Sequence, residues 1–190
     1  MDPVTCIVPA AGRSARMGQW KPLLPFRGST IIETVVRTAL SACQRVIVVT
    51  GYRGSELEAV LRGDDRVTLA ANPGWERGMF SSIQCGVSCV DTERFFIVLA
   101  DKPFITRDVY SSLLRAEYAD AVFPVFDGER GHPVLLGKAV RDAVLAADPV
   151  TGSMPNLLSR FTAEEVTWPD DSVIRDIDTQ EQYDAAADRS

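Results

Sequence analysis

Residues 5–12 read Thr5-Cys6-Ile7-Val8-Pro9-Ala10-Ala11-Gly12, an apolar, β-branched run that leads directly into small residues. Three more short runs have the composition of buried strands, and they span 46–50, 95–99 and 121–125. Between the runs lie segments with apolar residues three and four positions apart, typical of helices, and these span 30–42, 54–61, 80–90 and 107–117. Strands that alternate with helices need crossover connections, which build a parallel sheet with helices on both faces. We therefore predict an α/β fold, a three-layer sandwich with a mostly parallel sheet.

The length and composition of the chain indicate one domain. With 190 residues, of which 46% are hydrophobic, the chain can bury one core, so we predict a single domain over residues 1–190. The remaining elements are predicted from shorter patterns. They are strands at 67–71, 134–136, 165–168 and 173–177, and helices at 138–146, 156–160 and 180–187.

The charge balance and the cysteines exclude several classes of function. The net charge of −6 repels nucleic acid and anionic membranes, so we expect neither as a partner. No apolar segment reaches membrane-spanning length, and no basic region precedes a long apolar run at the amino terminus. We therefore expect a cytoplasmic protein. The cysteines lie in apolar stretches without zinc-site spacing, which indicates reduced, buried thiols.

The segment after the first predicted strand is small, flexible and cationic. Ala10, Ala11 and Gly12 let the backbone approach a ligand closely and present N–H groups to it. Polar side chains follow at Arg13, Ser14, Arg16 and Lys21. The glycine spacing fits neither a Walker A loop nor a G-x-G-x-x-G loop. We predict a loop that binds the phosphates of a nucleoside triphosphate at the carboxyl end of the first strand.

Acidic residues at two places are suited to a divalent cation. Asp101 follows the 95–99 run, at the exit of a central strand, where α/β folds present ligand groups. Asp176 and Asp178 are two positions apart in a predicted strand, so their side chains are expected to face the same way. Magnesium often takes only one or two carboxylates besides phosphate oxygens and waters. We predict a Mg²⁺ site at Asp101 and Asp178, roughly 8 Å apart at most, with Asp176 as the fallback ligand or, equally, as a cap.

Two further segments supply candidate binding residues. Gly78, Ser81 and Ser82 open the third predicted helix, and their N–H and hydroxyl groups can face a base or ribose, although Ser81 can equally be a simple N-cap. The polar segment 127–133 is predicted to be an active-site loop. It would contact a second, phosphorylated substrate, called the acceptor below. Its His132 is the sole histidine, suited either to a contact with an acceptor phosphate or to a structural hydrogen bond.

The order of these motifs resembles that of a known family. The string Ala10-Ala11-Gly12-x-Ser14-x-Arg16-Met17-Gly18-x-x-Lys21 is similar to the signature of nucleotidyltransferases related to molybdenum cofactor guanylyl- and cytidylyltransferases. Later landmarks follow in the family's order: Val48-Val49-Thr50-Gly51, Asn72-Pro73, Gly78-Met79-x-Ser81-Ser82, Ala100-Asp101-Lys102-Pro103, Gly131-His132-Pro133 and Asp176-Ile177-Asp178-Thr179. Guanylyltransferases typically have two glycines where this chain has Ala11-Gly12, so the combination is most similar to the cytidylyltransferases. Two positions depart from the family pattern, with Pro9 in place of Leu and Lys102 in place of Gln.

The resemblance implies a fold, an activity and a set of catalytic residues. The fold is the Rossmann-like, glycosyltransferase-A-like nucleotidyltransferase topology. The activity is transfer of CMP from CTP to the terminal phosphate of a molybdopterin-type cofactor, with Mg²⁺ and with release of pyrophosphate. Arg16 and Lys21 would hold the phosphates and, with Asp101, form the catalytic set. The segment at Ser81 and Ser82 would recognise the nucleotide.

Two alternatives stay open from the residues themselves. A sugar-phosphate or polyol-phosphate nucleotidyltransferase can use the same loop and acid pair, although a short chain leaves little room for an elaborated sugar pocket. A cofactor chaperone would carry finished molybdenum cofactor to a molybdenum hydroxylase without turnover. Lys21 and Asp101 favour an enzyme over the chaperone.

Overall fold

A central sheet organises the molecule, seen in a computed structural model that describes residues 2–14, 17–117 and 119–187. Its strands are β1 (Val4–Pro9), β4 (Arg45–Thr50), β5 (Val67–Ala71), β6 (Arg94–Ile97), β7 (Ala121–Phe126), β8 (Glu129–Arg130), β9 (Val134–Gly137) and β10 (Ala163–Thr167). The strand order is β10-β7-β9-β6-β1-β4-β5, with β8 paired to β7. β1 lies between β4 and β6 and is parallel to both, whereas β9 is antiparallel to β6 and β7. The sheet is therefore mostly parallel, as the strand and helix alternation predicts.

Helices cover both faces of this sheet. They are α1 (Ile31–Leu40), α2 (Gly54–Leu61), α3 (Met79–Val87), α4 (Arg107–Arg115), α5 (Lys138–Ala146), α6 (Met154–Leu158) and α7 (Gln180–Ala187). One core packs α1, α2 and α4 on one face, and a second core packs α3, α5 and α6 on the other. Cys6 and Val8 belong to the first core and Ile7 to the second, as expected when successive strand residues face opposite sides. No helix in the described part of the chain is long and apolar enough to cross a membrane.

Short elements complete the edge of the sheet where the parallel strands end. A hairpin of β2 (Pro25–Phe26) and β3 (Ser29–Thr30) precedes α1, whose N-cap Thr30 forms a capping box with Glu33. Three-residue 3-10 helices span Lys21–Leu23, Trp75–Arg77 and Asp171–Val173. A small apolar cluster that includes Phe26, Ile31, Ile177 and Ala186 fixes α7 against this edge.

The predicted elements agree with the observed ones except near the carboxyl terminus. The strand expected at 173–177 is wrong: a 3-10 helix ends at Val173, and residues 175–178 form no strand. Val173 and Ile177, four positions apart, are still fully buried, whereas the residues between them are only partly buried. The main chain of this segment is bonded to loops, because the Val173 carbonyl accepts from the His132 N–H and the Ile177 N–H donates to the Asp101 carbonyl, so burial does not produce a strand here.

Candidate active site

Lys21 links the two predicted acidic positions. It opens the 3-10 helix after the signature loop, and its side chain is only 11% exposed. Its Nζ donates to Asp101 Oδ2 at 3.2 Å and to Asp178 Oδ1 at 2.5 Å. Because both oxygens lie within hydrogen-bond distance of the same nitrogen, the two carboxylates are closer together than the predicted limit of roughly 8 Å. The structure therefore brings Asp101 and Asp178 together, on the same side of the sheet as Lys21.

Backbone contacts hold the two carboxylates in place. Asp101 follows β6 by four residues, and its carbonyl accepts a hydrogen bond from the Ile177 N–H at 3.0 Å. Asp178 stands just before α7, where Gln182 Oε1 accepts from the N–H groups of Asp178 and Thr179 at 2.7 and 2.9 Å. Asp101 therefore lies at the end of a strand and Asp178 at the start of a helix, and the hydrogen bond between Ile177 and Asp101 joins the two segments.

Asp176 and Lys102 lie next to this pair. Burial raises the pKa of the Asp176 carboxyl, and the positive charge of Lys102 opposes that rise. Lys102 is buried, and its Nζ donates to the Ile174 carbonyl at 2.6 Å. Lys102, which stands where the family usually has Gln, therefore places a buried positive charge against the segment that carries Asp176.

The acidic pair fits a divalent cation by the chemistry of its donors. Asp101 Oδ1 is buried and has no hydrogen-bond partner among the described residues, an arrangement that costs free energy unless another ligand satisfies the oxygen. No cluster of three or more His, Cys, Asp or Glu side chains in the described ranges is arranged to hold a metal. A cation here would take two protein carboxylates and need further oxygens from a ligand, which suits magnesium or manganese bound with phosphates.

A charged pocket of about 160 Å³ opens beside this pair. Its lining includes Ala10, Gly12, Ser14, Lys21 and Asp101. A Cβ added at Gly12 would meet nothing within 4 Å, so the space above the loop is open to a ligand. The Lys21 N–H donates to Ser14 Oγ at 3.3 Å, which ties the loop to the lysine. We call this volume the charged pocket.

Two loop residues have contacts that the sequence does not indicate, and a third cannot be placed. Ala11 is 3% exposed, so its methyl group offers almost no surface for direct contact with a base. Arg13 packs its guanidinium over the Trp75 ring, 4.9 Å from the centroid, and pairs with Glu76 at 2.8 Å. The predicted contact of Arg13 with phosphate stays a prediction. Arg16 lies outside the described residues.

Ser81 and Ser82 form a buried polar network instead of a simple cap. Asn72 Nδ2 donates to both hydroxyl oxygens at 3.1 Å, and the Ser81 hydroxyl donates to the Gly78 carbonyl at 2.8 Å. Gly78 itself is the N-cap of α3, with no side-chain cap. The network fixes the start of α3 beside the loops, and the predicted contact of these serines with a base stays a prediction.

A second volume, of about 450 Å³, adjoins the charged pocket at Leu99, which lines both. Its walls are mainly apolar, with polar groups from Arg130, His132 and Ser159. Most of the remaining lining residues come from β6, β7, β9, α3 and α6 and include Phe123, Leu136, Met154 and Leu158. We call this volume the apolar cavity. The sequence predicts that His132 lies near an acceptor but does not reveal the cavity, because its walls come from several strands, helices and loops that are distant in the sequence.

His132 is held as a neutral group at the cavity wall. Burial lowers the pKa of His132 to about 4, and the nearby Lys102 charge acts in the same direction, whereas the hydrogen bond to the Ile97 carbonyl opposes the shift. Its Nδ1 lies 3.3 Å from the Ile97 carbonyl oxygen, which requires the Nδ1–H tautomer and leaves Nε2 as an acceptor. At neutral pH His132 can accept a hydrogen bond but does not carry the positive charge expected of a phosphate ligand.

Comparison with known proteins places this geometry in a family. Residues 6–165 match the MobA-like NTP transferase domain. The chain is 34% identical to the molybdenum cofactor cytidylyltransferase of Escherichia coli, covering 100% of this chain and 98% of that protein. It is also 29% identical to the nicotine blue oxidoreductase of Paenarthrobacter nicotinovorans, covering 94% of each. The "Probable molybdenum cofactor guanylyltransferase" of a Bacillus cereus strain is 28% identical, with 93% of this chain and 92% of that protein covered.

Solved structures share the fold. A nucleotidyl transferase from Methanothermobacter superposes with a TM-score of 0.85 at 24% identity, covering 100% of this chain and 98% of that one. The protein Rv0371c of Mycobacterium tuberculosis, solved in complex with manganese, superposes with a TM-score of 0.80 at 19% identity, covering 99% of this chain and 100% of that one. Because the family match spans most of the sequence and the Escherichia coli relative aligns over its whole length, this chain belongs to the MobA-like NTP transferase family and is a nucleotidyltransferase.

Proposed function

We propose that this protein transfers CMP from CTP to the terminal phosphate of the molybdenum cofactor and releases pyrophosphate, with Mg²⁺ bound at Asp101 and Asp178. The observation that carries the proposal is the contact of Lys21, which lines the charged pocket, with both carboxylates. The ammonium, the acid pair and the small residues after β1 lie beside a second cavity large enough for a flat organic group. This arrangement matches a reaction between two phosphorylated molecules.

The charged pocket is assigned to the triphosphate. Gly12 and Ser14 offer backbone and hydroxyl donors, and Lys21 and Arg16 supply charge for the phosphates. Asp101 and Asp178 would hold a divalent cation, which would supply positive charge to the bound phosphates. Gly78, Ser81 and Ser82 are proposed to shape the nucleoside end, with Ala10 and Ala11 setting the course of the loop. Arg13 is assigned to loop anchoring through Trp75 in the free protein.

The reaction is proposed to be a direct in-line displacement. A phosphate oxygen of the acceptor forms a bond to the α-phosphorus, and the bond from that phosphorus to the bridging oxygen breaks as pyrophosphate leaves with the electron pair. An acceptor phosphate is already ionised at neutral pH, so no general base is needed. The protein's task is to position two anions and to offset their repulsion, which Lys21 and the loop donors can do.

The apolar cavity is assigned to the organic part of the acceptor. Apolar walls with a few polar groups are typical of small-molecule sites, and Phe123 and Leu136 suit the faces of a pterin-like ring. His132 can accept a hydrogen bond through Nε2 from a ring N–H. The cavity meets the charged pocket at Leu99, where an acceptor phosphate would reach the α-phosphorus.

The choice of CTP and of the acceptor rests on the relatives. The Escherichia coli relative at 34% identity is named a molybdenum cofactor cytidylyltransferase, and guanylyltransferases match at 28%. We propose that the protein acts in the cytoplasm as one domain over residues 1–190 and passes its product to a molybdenum hydroxylase. A sugar-phosphate or polyol-phosphate acceptor is the rival within the same chemistry.

A pyrophosphate-release assay on purified protein tests the proposal. Each of the four ribonucleoside triphosphates is paired with molybdenum cofactor, with a sugar 1-phosphate and with a polyol phosphate, in the presence of Mg²⁺. Release only with CTP and molybdenum cofactor supports the proposal. Release with GTP, or with a sugar or polyol phosphate, replaces the substrate assignment. Tight cofactor binding without pyrophosphate release from any triphosphate would favour the chaperone.

A further inference from the structure

Lys21 is the one side chain in the described ranges that contacts both predicted metal ligands. Its Nζ lies 3.2 Å from Asp101 Oδ2 and 2.5 Å from Asp178 Oδ1. The lysine side chain is 11% exposed, and the two carboxylates are 25% and 20% exposed. Ion pairs this shielded from water are screened much less than surface pairs. The ammonium is therefore a strong competitor for any other cation at this position.

We infer that Lys21 is an internal cation that occupies the place of the metal until the triphosphate arrives, so that the metal binds together with the nucleotide and only weakly alone. The inference rests on the proposed function, because it takes the charged pocket to be the triphosphate site. It assigns Lys21 a role in the order of binding, in addition to its contact with phosphate.

The charge balance explains why the triphosphate is needed for the exchange. A metal that binds the acidic pair alone must displace a buried ammonium, which loses both carboxylates that it contacts directly and keeps only the longer-range attraction of Asp176. Phosphate oxygens in the charged pocket offer the ammonium new acceptors, because Ser14 and Lys21 line the same volume. The carboxylates are then free to bind the metal, and the Lys21 ammonium binds the phosphates.

The protein ligand set also limits binding of the free metal. No described cluster of three or more acidic, histidine or cysteine side chains is placed to hold a metal. Two carboxylates leave most of the coordination sphere to water or to phosphate oxygens. Affinity for the free ion is therefore expected to be low, and the lysine lowers it further.

The test measures Mn²⁺ binding by the loss of the free ion's electron paramagnetic resonance signal, on full-length protein without substrates. Lys21→Met is expected to tighten Mn²⁺ binding by about tenfold or more relative to the wild type, because the competing charge is gone. Lys138→Met is the matched control, since Lys138 is exposed at the start of α5 and far along the chain from the site. It should bind Mn²⁺ like the wild type.

A second arm repeats the titration with a non-hydrolysable CTP analogue. In the wild type the analogue should tighten Mn²⁺ binding strongly, whereas in Lys21→Met the added effect should be much smaller because the exchange has been bypassed. Lys21→Gln serves if Lys21→Met loses its circular dichroism signal or melts early. Unchanged or weaker Mn²⁺ binding in the folded lysine variants overturns the inference.

The outcomes separate the inference from the proposed function. If Lys21→Met binds Mn²⁺ more tightly but the wild type does not turn over CTP, the cation exchange is supported and the substrate assignment is wrong. Turnover by the wild type with no change in Mn²⁺ affinity removes the exchange alone.

Discussion

The charged pocket and the apolar cavity lie side by side yet are built in different ways. The charged pocket, about 160 Å³, is made by loops that leave neighbouring strands, and ion pairs and main-chain hydrogen bonds hold it. The apolar cavity, about 450 Å³, is made by side chains from the sheet and two helices that cover it. The charged pocket is suited to binding charged groups at the point of reaction, and the apolar cavity is suited to enclosing an organic group by its shape.

This difference separates two kinds of mutational effect. Changes in the charged pocket remove groups that stabilise developing charge, so they should lower kcat. Changes in the apolar cavity alter the fit of the acceptor, so they should raise its KM. A charged-pocket variant that changes only the acceptor KM, or an apolar-cavity variant that changes only kcat, would contradict this assignment.

The largest expected effect is at Asp101. Asp101→Asn should lower turnover by about three orders of magnitude or more, because a neutral amide replaces a carboxylate at the proposed metal site. Steady-state kinetics with saturating substrates and Mg²⁺ measures it. Asp65→Asn is the control, since Asp65 is exposed in the loop before β5. Near-normal kcat in Asp101→Asn would refute its role in the charged pocket.

The next effect is on stability and belongs to the apolar cavity. Burial lowers the pKa of His132 to about 4 from the ordinary 6.5. Between these values the unfolded chain binds the proton and the folded chain does not. The free energy of unfolding should therefore be fully retained above pH 6.5 and fall as the pH decreases toward 4, with a loss of up to about 3 kcal/mol.

His132→Gln should remove this part of the pH dependence, and His132 is the sole histidine in the chain. Urea unfolding of both proteins at about pH 7 and pH 4.5 measures the difference. The comparison between variants cancels the contribution of Asp176, whose raised pKa acts in the opposite direction. An equal loss of stability in both proteins would contradict a buried, neutral imidazole.

Filling the apolar cavity should affect the acceptor alone. Met154→Trp replaces an unbranched thioether in the lining by a bulky ring and should raise the acceptor KM by about tenfold, equivalent to about 1.4 kcal/mol of binding free energy. The KM for CTP and the kcat should change little. Val150→Trp, at a neighbouring position that is 66% exposed, is the matched control. An equal rise in the CTP KM would mean that the cavity and the charged pocket do not bind separate substrates.

The smallest expected effect concerns the base. CTP should be preferred over GTP, and Ala11→Gly should relax that preference by only about twofold to threefold, because the buried methyl can act only through the course of the loop. Competition between the two triphosphates in the pyrophosphate assay measures it. A change of a hundredfold would instead indicate direct contact between the Ala11 methyl group and the base.

Much of the fold and the position of the site could be predicted from local patterns. The alternation of strands and helices indicates the layers, and small residues after β1 indicate a loop that approaches a ligand. Asp101 is identified by its place at a strand exit. The 173–177 strand was predicted wrongly because a short apolar segment can also be buried against loops, and here only Val173 and Ile177, four positions apart, are buried.

Other features of the site could not be predicted, because they depend on partners distant in the sequence. Arg13 is predicted to contact phosphate, which stays a prediction, and the tertiary structure also places Trp75 and Glu76 beside it. The depressed pKa of His132 comes from burial and from Lys102. Neither contact leaves a signal in the spacing of nearby residues.

The sequence by itself determined the class of fold, the loop of small residues after β1 and the position of Asp101 at a strand exit, because these follow from periodicity, small side chains and strand ends. Only the tertiary structure decided which of these groups meet. Lys21 is 80 residues from Asp101 and 157 from Asp178, and no local rule specifies such pairs. The parallel sheet brings β1 and β6 side by side, and the hydrogen bond from Ile177 to Asp101 brings the last carboxylate to the same edge. The physical reason is that burial of the two cores fixes the strand order, and the strand order fixes which loops converge.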